Sequence, residues 1–344
     1  VAQVPSKYTT IKEAMEHALD GKATLLYAQG SNIWRNQELQ KNGELGKPIN
    51  WGDETEMKNE ALKIAKEADV IVCTKGECAD MSGECGSRTN LEMPDVQHEL
   101  LSELVKLGKP VVLLNFAGRP TVLTWEKQHV PAIMNVWFGG SEMGDALCDV
   151  LFGDKVPSGK LTTSMPKTTG QEPIYYNHQN TGRPVADDNK KFAKFASNCL
   201  DVSNGPLYPF GYGLSYTTFE YSNFRLSSQE ADINGNQEAT EWQNGKNITA
   251  TITVKNTGNR DADEIVQLYI RDMVASISRP VKELKGFQRI HLAVGESKQV
   301  SFEITPDMLK FYNADLKHII EPGDFQIMIG TNSKEVEALN FNVK

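Results

Sequence analysis

The sequence predicts two folds in succession, a mostly parallel α/β sandwich domain followed by an all-β, immunoglobulin-like sandwich. Two observations carry this. Between residues 20 and 152, stretches with helical apolar spacing alternate with short, continuously apolar runs, the pattern of strands buried on both faces. After Tyr221 the apolar period drops to two and turn residues recur between short runs. A chain of 344 residues is long enough for two or three such domains, each with its own core.

Taken in order, residues 11–19 form an amphipathic helix, and 22–28 (KATLLYA) a strand that ends in the polar Gln29-Gly30-Ser31-Asn32. A second helix over 54–68 places Met57, Ala61, Leu62, Ile64 and Ala65 at helical spacing and leads into the β-branched strand 69–74. The helix over 95–107 carries Val96, Leu100, Leu101 and Leu104 on one stripe, is closed by Gly108, and precedes the strand 110–116. A further buried strand is expected over 131–138, and Gly139-Gly140-Ser141 opens a helix over 142–151 with Ser141 as N-cap and Glu142 and Asp145 suiting its dipole. From 163 to 203 the periodicity fades into a long surface connection. The aromatic stretch 207–219 reads as packing at a domain junction rather than a sugar-stacking platform. Alternation at Ile248, Ala250, Ile252 and Val254, at Val300, Phe302 and Ile304, and at Phe325, Ile327 and Ile329 marks strands of the second fold. The expected division is an α/β domain at 1–178, a linker and aromatic junction at 179–220, and a β-sandwich domain at 221–344.

The formal net charge of −9 leaves no basic footprint, which argues against nucleic acid and anionic membrane surfaces as partners. No run approaches the roughly 20 apolar residues of a membrane span. Val1-Ala2-Gln3-Val4-Pro5 lacks the basic and apolar regions of a signal peptide, and a start on Val without Met is expected of a fragment or processed product. The six histidines show no ligand spacing, so neither a metal nor a cofactor is expected. Among the five cysteines, Cys73 and Cys148 sit in apolar runs as core residues; Cys78 and Cys85 would bridge only in an oxidising compartment, and free thiols are the expectation. The chain has no GxGxxG in a first βα turn, no GK[ST], no GxSxG elbow, and no histidine near Cys78 or Cys85.

The remaining chemistry lies in the glycine-punctuated loop 76–94, which leaves the carboxyl end of the 69–74 strand, where open α/β sheets bind ligands. Its acids, Glu77, Asp80, Glu84 and Glu92, would by themselves form an ordinary solvated face, with Arg88 a rim charge. Glu84 sits between Gly83 and Gly86, so the backbone can bend sharply there and a bulky ligand can come close.

The ordered segments GECGSRTNLEMP, KPVVLLNFAGRP, VWFGGSEMGDALCDVLFGDKVPSGKLTTSMP, IYYNHQNTGRP, LYPFGYGLSYTTFEY, SRPVKELKGFQRI and EPGDFQIMIGTNS resemble the C-terminal half of family 3 glycoside hydrolases, in particular bacterial periplasmic β-glucosidases. The resemblance runs along nearly the whole chain. It implies an α/β sandwich domain followed by a fibronectin type III-like domain, without the (β/α)8 barrel that precedes them in the family, and with the strand that opens the α/β domain missing. It also implies that Glu84 is the general acid/base, that the nucleophile is a barrel aspartate absent here, and that Arg88 and Ser87 bind substrate or support the loop. Arg88 is expected to brace the loop or meet substrate rather than pair with Glu84, which must gain a proton. Cys85 stands where glycine is common and Ser87 where many members have aspartate. The implied substrate is a β-linked oligosaccharide or aryl glucoside, the implied partner the missing barrel, with a homodimer left open, and the implied location periplasmic or secreted. The isolated chain is expected to be inactive. Alternatives are a non-catalytic carbohydrate-binding or assembly module, or β-xylosidase or β-N-acetylglucosaminidase specificity; the Glu84 loop argues against the acetylglucosaminidase branch that takes its acid/base from the barrel.

Overall fold

A computed structural model describes residues 8–38, 51–78, 81–84, 86–189, 191, 193–243, 245 and 247–344. The chain divides into two compact units, Val1–Lys155 with Pro166–Glu172, and Val156–Met165 with Pro173–Lys344.

The first unit contains α1 (Ile11–Leu19), α2 (Glu54–Glu67), β1 (Ile71–Gly76), α3 (Asp95–Lys106), β2 (Val111–Phe116), α4 (Thr124–His129), β3 (Ala132–Asn135) and α5 (Met143–Leu151). Local sequence sets the helix starts. Thr10 and Glu13 form a reciprocal capping box on α1, and the Asp53 carboxylate accepts from the amides of Thr55 and Glu56 at the start of α2. The strands form a parallel sheet in the order β1-β2-β3, with Ile71 opposite Val111 and Val112 opposite Ala132. Alternation along β1 explains why both faces are covered. Ile71 and Cys73 pack with Ala61 and Ala65 of α2 and Leu100, Leu101 and Leu104 of α3, whereas Val72 packs with Ala14 and Met15 of α1 and Cys148 of α5.

Three expectations need correction, and one helix is added to them. Residues 22–28 form no strand: Leu25 packs in the α1/α5 cluster and Ala28 against the α2/α3 cluster, so the segment crosses both layers, but among the described residues no neighbour completes a ladder and Tyr27 is 61% exposed. An apolar run supplies strand propensity; only a paired backbone makes the strand. The 131–138 strand shrinks to the four residues of β3, which lies at the sheet edge and is only half-buried. Ser141 does not cap α5: Glu142 holds the N-cap position without a side-chain bond, and the Ser141 carbonyl instead accepts from the Thr9 amide. This contact joins the approach to α1 with the start of α5, where a Cβ on Gly144 would lie 2.6 Å from the Thr9 carbonyl oxygen. The short helix α4 lies in a stretch where no helix was expected.

The edge of β1 that has no partner strand among the described residues is partly closed by one side chain. The Ile71 amide donates to Pro110 and the Glu77 amide to Phe116, so the odd-numbered residues aim their backbone groups at β2 and the even-numbered ones aim away. Buried Gln97 of α3 meets the outward groups of Gly76, accepting from its amide at 2.8 Å and donating to its carbonyl at 2.9 Å.

The second unit is a β-sandwich. A five-stranded sheet in the order β5-β13-β12-β7-β8 faces a three-stranded sheet, β4-β6-β9; the strands are β4 (Phe219–Leu226), β5 (Glu230–Ala231), β6 (Ile248–Asn256), β7 (Ala262–Asp272), β8 (Glu283–Leu292), β9 (Ser297–Ile304), β12 (Gly323–Gly330) and β13 (Val336–Val343), with a small β10 (Phe311–Tyr312) and β11 (His318–Ile319) hairpin beside them. The period-two residues of β6, β9 and β12 form its core with Val266, Leu268 and Ile270 of β7. Phe210 from the aromatic stretch stacks on Tyr176 at 4.3 Å between ring centres, and Tyr176 meets Tyr269 edge-on. The unit also holds a buried polar cluster: Glu264 accepts from Lys160 at 3.1 Å, Tyr221 at 2.9 Å and Thr331 at 3.0 Å. Burial pushes the Tyr221 phenol upward, which keeps it a donor.

Two outcomes follow from these contacts. The amides of Val72 and Thr74 should exchange with solvent faster than those of Cys73 and Lys75 by hydrogen-exchange NMR; equal protection would contradict an open β1 edge. Glu264→Ala strands a buried ammonium and should lower unfolding free energy by about 3–5 kcal/mol in urea titration, whereas a loss below about 1 kcal/mol would contradict it.

Candidate active site

The site grows out of the carboxyl end of β1. At Gly76 the chain adopts φ +142°, and a Cβ there would fall 1.7 Å from the Phe116 carbonyl oxygen, so only glycine lets β1 pass so close to β2 as it turns out of the sheet. The Glu77 amide then bonds that same oxygen at 2.7 Å and fixes the direction of departure.

Glu77 is not the solvated loop acid the sequence suggested. Its side chain is fully buried and accepts from Ser82 Oγ at 2.5 Å, Arg88 Nη1 at 2.8 Å and Arg119 Nε at 3.3 Å. Arg119 comes from the turn after β2, where Gly118 lets the chains touch: a Cβ on it would lie 2.6 Å from the Ser82 Cβ. Each guanidinium also holds loop backbone. Arg88 donates to the Glu92 carbonyl at 2.8 Å, and Arg119 to the carbonyls of Met81 and Gly86. The Gly86 amide bonds the Gly83 carbonyl at 3.0 Å, closing a turn with Glu84 at its first corner. The far end of the loop is tied by the Leu91 carbonyl, which accepts from Val122, and by the Leu91 amide, which donates to Thr169.

Glu84 itself is exposed and makes no hydrogen bond or ion pair among the described residues. Ser87 is exposed too, and Arg88 pairs with Glu77 and lies 5.6 Å from the Trp34 ring. Asp80 and Cys85 lie outside the described residues, and with Cys85 the expectation about a Cys78–Cys85 bridge; Cys73 and Cys148 are buried as expected. A cleft of about 770 Å³ opens beside the loop base, lined by Ser31, Lys75, Glu77, Gln97 and the Gly139–Ser141 turn among others. Lys75 reaches Ser31 Oγ at 2.9 Å, and burial pushes its ammonium pKa down. Among the described residues no three His, Cys, Asp or Glu side chains group as a metal site.

Glu77 and Arg119 were missed in the sequence. The usable signal for Glu77 was parity: Ile71, Cys73, Lys75 and Glu77 continue one buried face of β1 to its end. Arg119 had no comparable local signal, because its role depends on β1 and β2 lying side by side.

The model of the glycosyl hydrolase family 3 C-terminal domain matches residues 2–216, and that of a fibronectin type III-like domain matches residues 264–333. The chain is similar to a periplasmic β-glucosidase of Salmonella typhimurium, 43% identical over 99% of this chain and 43% of the relative. It is also similar to a β-xylosidase of Formosa agariphila, 35% identical over 99% of this chain and 42% of the relative. Among solved structures, a β-glucosidase of Listeria innocua in complex with glucose matches with TM-score 0.77 and 38% identity over 86% of this chain and 39% of its own. A β-glucosidase of Erythrobacter marinus matches with TM-score 0.82 and 31% identity over 98% of this chain and 43% of its own. The chain thus spans about two-fifths of the length of the relatives it matches.

Gly76→Ala should lower the unfolding free energy by about 2–4 kcal/mol, since the Cβ must displace β2 backbone. An unchanged denaturation midpoint would contradict the close crossing at the loop base.

Proposed function

Because the chain belongs to glycoside hydrolase family 3, carrying its C-terminal domain and a fibronectin type III-like domain, we propose that it is the acid/base-bearing part of a retaining β-glycosidase. The observation that supports this most is Glu84: an exposed carboxylate with no partner among the described residues, at a turn corner on a loop anchored at both ends at the carboxyl edge of a parallel sheet. The preferred substrate class is terminal, non-reducing β-glucosides, as for the relatives named β-glucosidases. The periplasm is the proposed location, as for the Salmonella relative.

A retaining glycosidase needs two carboxyl groups roughly 5 to 5.5 Å apart. Glu84 supplies one. It protonates the leaving oxygen during glycosylation and then takes a proton from the water that releases the sugar. The nucleophile, an aspartate of a (β/α)8 barrel, belongs to the part of the family enzyme that this chain does not span. In the completed enzyme the barrel covers Glu84 and sets the nucleophile's carboxylate beside it, across the scissile bond. Arg88 is engaged by Glu77 rather than by Glu84.

The experiment is hydrolysis of 4-nitrophenyl β-D-glucoside, with the β-D-xyloside as comparison, by the chain alone and mixed with the barrel polypeptide. Activity should appear only in the mixture, and Glu84→Gln should lower kcat about 10²–10⁴-fold. Hydrolysis by the chain alone, or full activity of the variant mixture, would overturn the assignment.

A further inference from the structure

We infer that Glu77 is the positioning residue of the loop that carries Glu84, acting through Arg88 and Arg119; the inference rests on the acid/base reading of Glu84. Cys78 and Met81 are buried, but the first unit's apolar clusters contain no described residue between 74 and 92, so those clusters do not hold this loop. A polar clamp does. The Glu77 carboxylate, fully buried at the end of β1, takes Arg88 Nη1 on Oε1 and Ser82 Oγ on Oε2, and Arg119 Nε lies 3.3 Å from either oxygen.

The free arms of both guanidiniums then reach loop carbonyls, Arg88 to Glu92 and Arg119 to Met81 and Gly86. Five loop positions, 81, 82, 86, 88 and 92, are thereby referred to one carboxylate. Glu84 is carried between the pinned residues Ser82 and Gly86. The charge type matters: only an anion with two oxygens in a plane can orient two forked cations at once, and an amide can accept on one oxygen only. Without that anion the Arg arms lose their fixed direction, and with them the loop carbonyls. General acid catalysis is sensitive to displacement on this scale, since about 1 Å costs about 10²-fold in rate.

The test pairs two readouts on Glu77→Gln. In the full chain, hydrogen exchange of amides 81–92 should quicken tenfold or more while those of β1 and β2 stay as in the unaltered chain. In the enzyme completed with the barrel polypeptide, kcat/KM for phenyl β-D-glucoside, whose leaving group needs a proton, should fall about 10²-fold. For 2,4-dinitrophenyl β-D-glucoside, whose leaving group needs none, it should fall less than about threefold. Arg119→Lys, which keeps the charge and loses the fork, should show the same leaving-group dependence at smaller size. Unchanged loop exchange, or an equal loss on both glucosides, would overturn the positioning role. Glu84→Gln is the reference: should it show no leaving-group dependence, the acid/base reading fails, while loop exchange in Glu77→Gln still decides whether the clamp holds the loop.

Discussion

A carboxylate removed from water and shared by two guanidiniums organises the functional end of the α/β unit. Burying Glu77 costs its hydration, and the cost is offset only because Ser82, Arg88 and Arg119 occupy its lone pairs together. That condition ties three pieces of backbone to one carboxylate: the end of β1, the loop 81–92 and the turn after β2. Gly76 and Gly118 are part of the same arrangement, since side chains there would push apart the strands and turns that bring the three charges together. The loop bearing Glu84 is therefore fixed relative to the sheet, while the Glu84 side chain stays exposed, with no partner among the described residues.

The same arrangement separates two electrostatic tasks. Arg88 is committed to Glu77 and to the Glu92 carbonyl, so the loop has its cation without presenting it to Glu84. A general acid must hold a proton at working pH, and an adjacent guanidinium would favour the ionised form. Two neighbouring glutamates thus have opposite surroundings, one sealed between cations and one open to water. The two-carboxylate mechanism proposed above takes the partner of the open one from a barrel, outside the two-fifths of its relatives' length that this chain spans.

How much of this could be read from the sequence depends on how local each feature is. Helices α2 and α3 were legible because spacing and end signals agree with the packing they meet. The sandwich strands were legible because each keeps one face in the core. Residues 22–28 misled because strand propensity is local but a ladder needs a neighbour, and Ser141 misled because its backbone serves Thr9 rather than a helix end. The 76–94 loop was visible from its glycines and from the family resemblance, which marked Glu84. The burial of Glu77 and the reach of Arg119 were not, since both depend on β1 and β2 being adjacent and on a turn that lies far away in sequence.

The central claim is that Glu84 is the proton-transferring carboxylate of a retaining glycosidase, and chemical rescue tests it most directly. In Glu84→Ala, completed with the barrel polypeptide and given 2,4-dinitrophenyl β-D-glucoside, glycosylation proceeds without a proton but water lacks its base. Azide, which needs no base, should restore turnover and yield β-glucosyl azide. Identification of that product by NMR is the expected result. Turnover unchanged by azide, with free glucose as the sole product, would contradict the account.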